Sequence, residues 1–276
     1  MTVPSPLHPD RSARGLEGGA FYAPAGDAQL WTVAFGPGDG PTLVAVAGWT
    51  GSWEVWAWTF GILSARWRVV GFDHRGTGAT ISSAASISHD RLVDDIFVVL
   101  DAHGIDRCVL AGESAGAGVV ISAAARHPER VAGLILVDGF ILASPRGEDD
   151  PFPRSLRSDF AGTIEQFANA CVPDPDDGAL RHWGQLIVQR STPEHAIALW
   201  SAAVDPRDDL PRVRAPTLVI HCDGDRLSPL DNGRALAAGI PNATLQVLVG
   251  SEHVPTLTRL GEIAALIEEW YASIAD

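Results

Sequence analysis

Short, nearly unbroken apolar runs recur along the chain, separated by longer stretches with helical spacing. Residues 42–47 (TLVAVA), 67–72 (WRVVGF), 107–111 (RCVLA), 134–137 (LILV), 217–220 (TLVI) and 245–249 (LQVLV) read as strands buried on both faces of a parallel sheet. Residues 29–35 (QLWTVAF) alternate, as a half-covered strand does. Apolar positions at helical spacing fill 91–103, 115–126 and 261–274. Alternation of strand and helix implies βαβ units, so the expected class is α/β.

The rhythm breaks between residues 144 and 214. A charged, Pro-bearing run at 145–151 opens this interval, and another at 205–209 lies near its end. Helical patterns at 163–170, 179–189 and 193–204 lie between them. The expectation is a helical lid at 144–205, inserted into a core formed by 1–143 and 206–276. Phe160, Ile164, Phe167, Trp183, Ile187, Leu199 and Trp200 would cover a pocket, since insertions longer than about 15 residues between core elements are usually functional.

Charge narrows the partners. Twenty basic and 34 acidic residues give a net charge of −14, and every basic residue is Arg. Such a surface repels phosphate backbones and anionic lipid, so neither a nucleic-acid nor a membrane partner is expected, and the partner left is a small-molecule substrate. The absence of Lys removes Schiff-base chemistry and a lysine-based phosphate loop. The three cysteines are sparse and unpaired in spacing, arguing against a disulfide framework or structural zinc. No HExxH is present and no GxGxxG opens the first βα unit, so no metal or other cofactor is expected. With no apolar leader or membrane-length run, the expectation is a cytoplasmic protein. A homodimer stays open.

Chemistry enters at Gly112-Glu113-Ser114-Ala115-Gly116, a G-x-S-x-G between a strand pattern and a helix pattern. A sharp turn there holds the Ser114 hydroxyl at the sheet edge, over a helix N-terminus whose N–H groups can stabilise an oxyanion. A serine needs a base, and the base needs an orienting acid. His253 follows the last strand pattern. Asp225 follows the one before it, with Asp138 and Asp223 as alternatives.

At these residues the sequence resembles the α/β-hydrolase superfamily, over roughly Leu30 to Ala272. Ala47-Gly48-Trp49 is similar to the family's HG-type oxyanion turn, with Ala where His is common, and Asp73-His74-Arg75-Gly76-Thr77-Gly78 to its D-x-R-G-x-G turn. The resemblance implies a mostly parallel sheet flanked by helices, with a helical cap after the sixth strand. It implies Ser114 as nucleophile, His253 as general base and acid, Asp225 as orienting carboxylate, and the Trp49 and Ala115 backbone N–H groups as oxyanion hole. Arg75 is expected to be a structural pin, and His74, His127 and His221 structural or surface residues.

A serine at the elbow argues against the carboxylate-nucleophile branches of the family, and the absent HGGG-type hole against its hormone-sensitive-lipase-like branch. Nine Trp are present, five of them between Trp49 and Trp67. Trp49, Trp53 and Trp56 lie near the oxyanion turn, while Trp58 and Trp67 are expected to pack in the core with a helix near 53–66. Trp53, Phe140 and Trp183 are the candidate substrate contacts. The expected activity is hydrolysis of a small-to-medium apolar or aromatic ester or lactone. Carbon–carbon bond hydrolysis or perhydrolysis by the same residues, and ligand binding on a hydrolase frame, are the alternatives.

Overall fold

The computed structural model describes residues 18–141, 147 and 149–275. Eight strands form one sheet: β1 (Gly19–Ala25), β2 (Ala28–Phe35), β3 (Thr42–Val46), β4 (Arg68–Phe72), β5 (Cys108–Glu113), β6 (Val131–Val137), β7 (Thr217–Cys222) and β8 (Ala243–Leu248). Their order is β1-β2-β4-β3-β5-β6-β7-β8. The β1–β2 and β2–β4 pairs are antiparallel and the rest parallel. The helices are α1 (Ala57–Leu63), α2 (His89–Ala102), α3 (Ala115–Arg126), α4 (Pro151–Ser158), α5 (Phe160–Cys171), α6 (Gly178–Val188), α7 (Pro193–Ala202), α8 (Leu230–Gly239), α9 (Pro255–Thr258) and α10 (Leu260–Ala275).

The apolar runs are buried on both faces because successive side chains of a strand point to opposite sides. Val44, Val70, Leu110, Leu134 and Val219 meet Ile96 and Val99 of α2, Val120 and Ile121 of α3, and Leu236 of α8. Their strand neighbours Leu43, Val69, Val109, Ile135 and Leu218 face Phe60 and Leu63 of α1 and Ile263, Ile267 and Trp270 of α10. Two helical layers thus enclose the sheet, the three-layered α/β arrangement that the strand–helix alternation predicts.

Several local readings differ. The hairpin strand β1 has no counterpart in the apolar pattern, and neither do α4 and α8. β8, expected to be buried on both faces, is an edge strand with Thr244, Gln246 and Val247 exposed. The single helix expected near 53–66 is a 3-10 turn, Trp53–Trp56, followed by α1. Helices α4 to α7 lie in the chain between β6 and β7; the expected start of that insertion, Ser144, falls outside the described residues.

Arg75 pins the turn after β4. It is 1% exposed, and its guanidinium donates to both Asp95 carboxylate oxygens on α2, at 2.7 and 3.0 Å. It also donates to Asp27 in the β1–β2 hairpin and to the Ala25 carbonyl. The expectation of a structural pin holds.

Candidate active site

Strand β5 runs straight into α3 through Ser114, which adopts φ 52° and ψ −121°. A non-glycine residue in that conformation is strained, and the surroundings must hold it there. They do so by close approach: a Cβ on Gly112 would lie 2.6 Å from the Gly116 carbonyl oxygen, and one on Gly116 only 2.5 Å from that of Ala47. The Ser114 N–H donates to the Val137 carbonyl, fastening the turn to β6. The hydroxyl therefore stands at the carboxyl edge of the sheet, beside the first turn of α3.

Two further loops at that edge deliver the other groups. Asp225, just past β7, is turned inward because one carboxylate oxygen accepts the Leu227 and Ser228 N–H groups, both at 2.8 Å. Its second oxygen lies 2.7 Å from His253 Nδ1. His253, on the loop after β8, places Nε2 3.0 Å from Ser114 Oγ. A carboxylate only accepts, so Nδ1 carries the proton and Nε2 presents its lone pair to the Ser114 hydroxyl. Ser114, His253 and Asp225 thus form one hydrogen-bonded relay, with His253 and Asp225 both buried.

Burial alone would lower the imidazole pKa of His253. The Asp225 hydrogen bond and charge, with Asp138 behind them, overcome it and leave the ring more basic than usual. Glu113, fully buried beside the nucleophile, is pushed up to about 8 by desolvation. Thr256 donates to its Oε1 at 2.8 Å, and Oε2 has no partner among the described residues.

The alternative acids lie elsewhere. Asp223 accepts the Gly250 N–H. Asp138 is buried at φ 46°, and its Oδ1 accepts the Cys222 N–H at 2.8 Å. Among the described residues, one group has ligand atoms close enough for a metal: Asp138, His221 and Asp225, within 4.8 Å. Asp225 is committed to His253 and two amides, Asp138 Oδ1 accepts from Cys222, and His221 Nε2 donates to the Ser228 carbonyl, while Asp138 Oδ2 and His221 Nδ1 have no partner among the described residues.

Trp49 follows β3 on the Gly48–Gly51 turn, opposite the start of α3. Its backbone N–H and that of Ala115 have no acceptor among the described residues, and both residues line a cleft with Ser114. The Trp49 indole reaches into the inserted helices, where Nε1 donates to the Ala196 carbonyl of α7 at 2.8 Å. Phe152 of α4 and Phe167 of α5 pack on the ring, with centroids 5.0 and 5.1 Å away.

Two clefts meet at Gly48, Trp49 and Ser114. One, of about 600 Å³, runs between Phe72, Leu92, Val119, Phe140 and Leu199. The other, of about 670 Å³, is walled by Phe167, Trp183, Ile187 and Leu257 and includes His253. Of the three candidate substrate contacts, Phe140 lines the first cleft and Trp183 the second. Trp53 packs beside Phe35 on the α1 side, its N–H donating to Asp73, and lines neither cleft. Trp56 is also a core residue, stacked on Phe60. Trp58, expected in the core, is 44% exposed and stacks on Trp183 of α6 at 5.1 Å. His74 and His89 line the first cleft. His89 is marked by no motif, and His74 sits at the variable position of the D-x-R-G-x-G turn, which places it at the carboxyl edge.

The chain is similar to known proteins over most of its length. Residues 41–260 match the family described as alpha/beta hydrolase fold. A Caulobacter sp. (strain K31) protein whose name gives it as the carbamate hydrolase RutD is 31% identical over 80% of this chain and 86% of its own length. The pimeloyl-[acyl-carrier protein] methyl ester esterase of Aeromonas hydrophila is 29% identical over 84% of this chain and 96% of its own. In three dimensions the chain is similar to the enol-lactonase from Burkholderia xenovorans LB400, with a TM-score of 0.83 at 22% identity, covering 91% of this chain and 99% of that one. With the elbow, the sheet order and a family match over most of its length, the chain belongs to the α/β-hydrolase family.

Proposed function

We propose that the protein is a serine hydrolase that cleaves a carboxylic ester or lactone through an acyl-enzyme on Ser114. The observation that carries this reading is the continuous relay from Ser114 Oγ through His253 to Asp225, mounted on a strained elbow. His253 Nε2 removes the hydroxyl proton as Oγ attacks the carbonyl carbon. Negative charge develops on the carbonyl oxygen, and the Trp49 and Ala115 N–H groups receive it at the positive end of α3. Collapse expels the alkoxide, which takes the proton from His253. Water then repeats both steps on the acyl-enzyme and regenerates Ser114.

Because His253 must protonate the leaving oxygen, the leaving group occupies the Trp183 cleft and the acyl group the Phe140 cleft. Both walls are mainly apolar, which supports a small-to-medium apolar or aromatic substrate. A carbamate carbonyl, named for one relative, would pass through the same steps. Helices α4 to α7 act in this reading as a lid over the substrate, the 144–205 insertion. A cytoplasmic setting goes with three free, buried cysteines.

A burst assay with p-nitrophenyl acetate tests the proposal on the wild type, Ser114→Ala and His253→Ala. A stoichiometric burst followed by turnover, lost in both variants, is the expected result. A folded wild type with neither burst nor turnover would overturn it.

A further inference from the structure

His74 stands between the rigid turn after β4 and the oxyanion turn after β3, two neighbouring parallel strands. Its own turn is fixed from several sides. Asp73 accepts the Trp53 and Ala79 N–H groups, the His74 carbonyl accepts the Thr77 N–H and hydroxyl, and Arg75 is locked to Asp95. The imidazole is 6% exposed, and burial holds its pKa below the usual range, so the ring is neutral at neutral pH.

Both ring nitrogens face carbonyl oxygens. Nε2 lies 3.1 Å from the Gly48 oxygen and Nδ1 3.2 Å from that of Arg75. A neutral imidazole carries one N–H and can donate to only one of them. The Arg75 contact is with the next residue in the chain, a proximity the turn imposes in either tautomer. The Gly48 contact spans two strands and is the one the fold has to build.

We propose that His74 is a positioning residue for catalysis: its Nε2–H holds the Gly48 carbonyl and thereby aims and polarises the Trp49 N–H of the oxyanion hole. The peptide between Gly48 and Trp49 is planar, so fixing its carbonyl fixes the direction of its N–H. The Gly48 oxygen accepts a second hydrogen bond from the Gly51 N–H at 3.1 Å, so two donors orient one peptide. Donors on a carbonyl also strengthen the N–H of the same peptide as a donor. The contact must be accurate because Gly48 packs directly on the nucleophile, where a Cβ would stand 3.1 Å from Ser114 Cβ.

This inference rests on the acyl-transfer reading, and the chemistry of side-chain amides tests it. In His74→Gln the amide nitrogen can take the place of Nε2; in His74→Asn it replaces Nδ1; in His74→Leu no donor remains. Fluorophosphonate labelling counts competent sites, so a folding defect is separated from a catalytic one. With p-nitrophenyl acetate, His74→Gln should stay within about threefold of wild-type kcat. His74→Asn and His74→Leu should fall about 10- to 100-fold with KM little changed, less than the roughly 10²–10³ seen when an oxyanion donor is deleted outright. Affinity for a trifluoromethyl ketone, which binds as a tetrahedral adduct on the serine, should weaken by the same factor as kcat.

Asn performing like wild type, Gln performing no better than Leu, or a fall in kcat without loss of ketone affinity would each overturn the inference. If wild type itself shows no burst, the acyl-transfer reading falls and takes this inference with it. If wild type bursts and the three variants behave alike, only the role of His74 falls.

Discussion

Replacing Glu113 by Gln changes the pH dependence of stability in a direction set by the structure. The carboxyl is fully buried at the end of β5, with Thr256 on one oxygen and no partner on the other. Burial moves its pKa from 4.5 up to about 8, so the native state keeps a proton that the unfolded chain gives up. Between those values the folded protein binds more protons than the unfolded one, and stability falls as pH rises, by about 1.4 kcal/mol per pH unit at full slope. The contribution is fully present below the unfolded pKa and is lost as pH climbs towards the folded one. Across the window the loss is on the order of 5 kcal/mol.

Gln keeps the shape and an acceptor for Thr256 but carries no proton linkage. Its buried NH₂ lacks a partner, a static penalty of about 1–3 kcal/mol at every pH. Taking the difference between two pH values cancels that penalty. Urea unfolding of both proteins at pH 5 and pH 8 should show Glu113→Gln gaining about 3–4 kcal/mol on wild type between them. Carboxylates common to both proteins drop out of the comparison. A wild type-to-variant difference that stays constant from pH 5 to pH 8 would refute the reasoning and show that the carboxyl is ionised in the native state.

Other perturbations have defined outcomes. His253 must be neutral to accept the Ser114 proton, so the acid limb of kcat/KM should lie above the ordinary imidazole value of 6.5 in a pH–rate profile. Asp225→Asn should lower that limb and cut kcat by about 10⁴, because the amide no longer holds the required tautomer; a profile unmoved by the substitution counts against the relay. Arg75→Met strands the buried Asp95 carboxylate and should cost about 3–5 kcal/mol in denaturant unfolding, largely recovered in the Arg75→Met/Asp95→Leu double variant. Gly116→Ala, a change that stabilises an ordinary helix interior by about 0.5–1 kcal/mol, drives a Cβ to 2.5 Å from the Ala47 oxygen. It should reduce kcat at least about 100-fold or prevent folding, as circular dichroism and the burst assay would show.

The elbow was legible because three signals coincide there: a buried apolar run, Gly112 and Gly116 flanking a serine, and a helix pattern starting at the next residue. Chain order points to His253 after the last strand, but it leaves Asp225, Asp138 and Asp223 open as the acid; only the family resemblance favours Asp225. β1 is hard to see in the sequence because Pro24 and exposed alternate positions weaken its pattern, although Gly26-Asp27 is a two-residue hairpin turn that marks it. The aromatic residues were the hardest to place. Trp53, Trp56 and Trp58 lie within six positions of one another, yet one covers Phe35, one fills the core and one stacks on α6. Their directions are set by a 3-10 turn running into α1, a change of helical pitch that composition does not reveal. The tautomer of His74 is equally invisible in sequence, since it depends on two carbonyls brought to the ring by different strands.

The indole of Trp49 has a consequence for how this enzyme can diversify. In the proposed mechanism its backbone N–H receives the developing charge, while its ring is gripped by α4, α5 and α7. Cap positions therefore divide into two evolutionary classes. Changes at Phe152, Phe167 or the backbone around Ala196 reach the reacting carbonyl through Trp49, so a new substrate shape selected there brings a change in rate. Trp183, Ile187 and Leu199 line the clefts without a hydrogen bond or aromatic pairing to Trp49 among the described residues, and varying them is expected to change selectivity more than the chemistry. A library confined to those three positions should explore substrate range, whereas one that includes Phe152 or Phe167 explores range and turnover as a single, coupled trait.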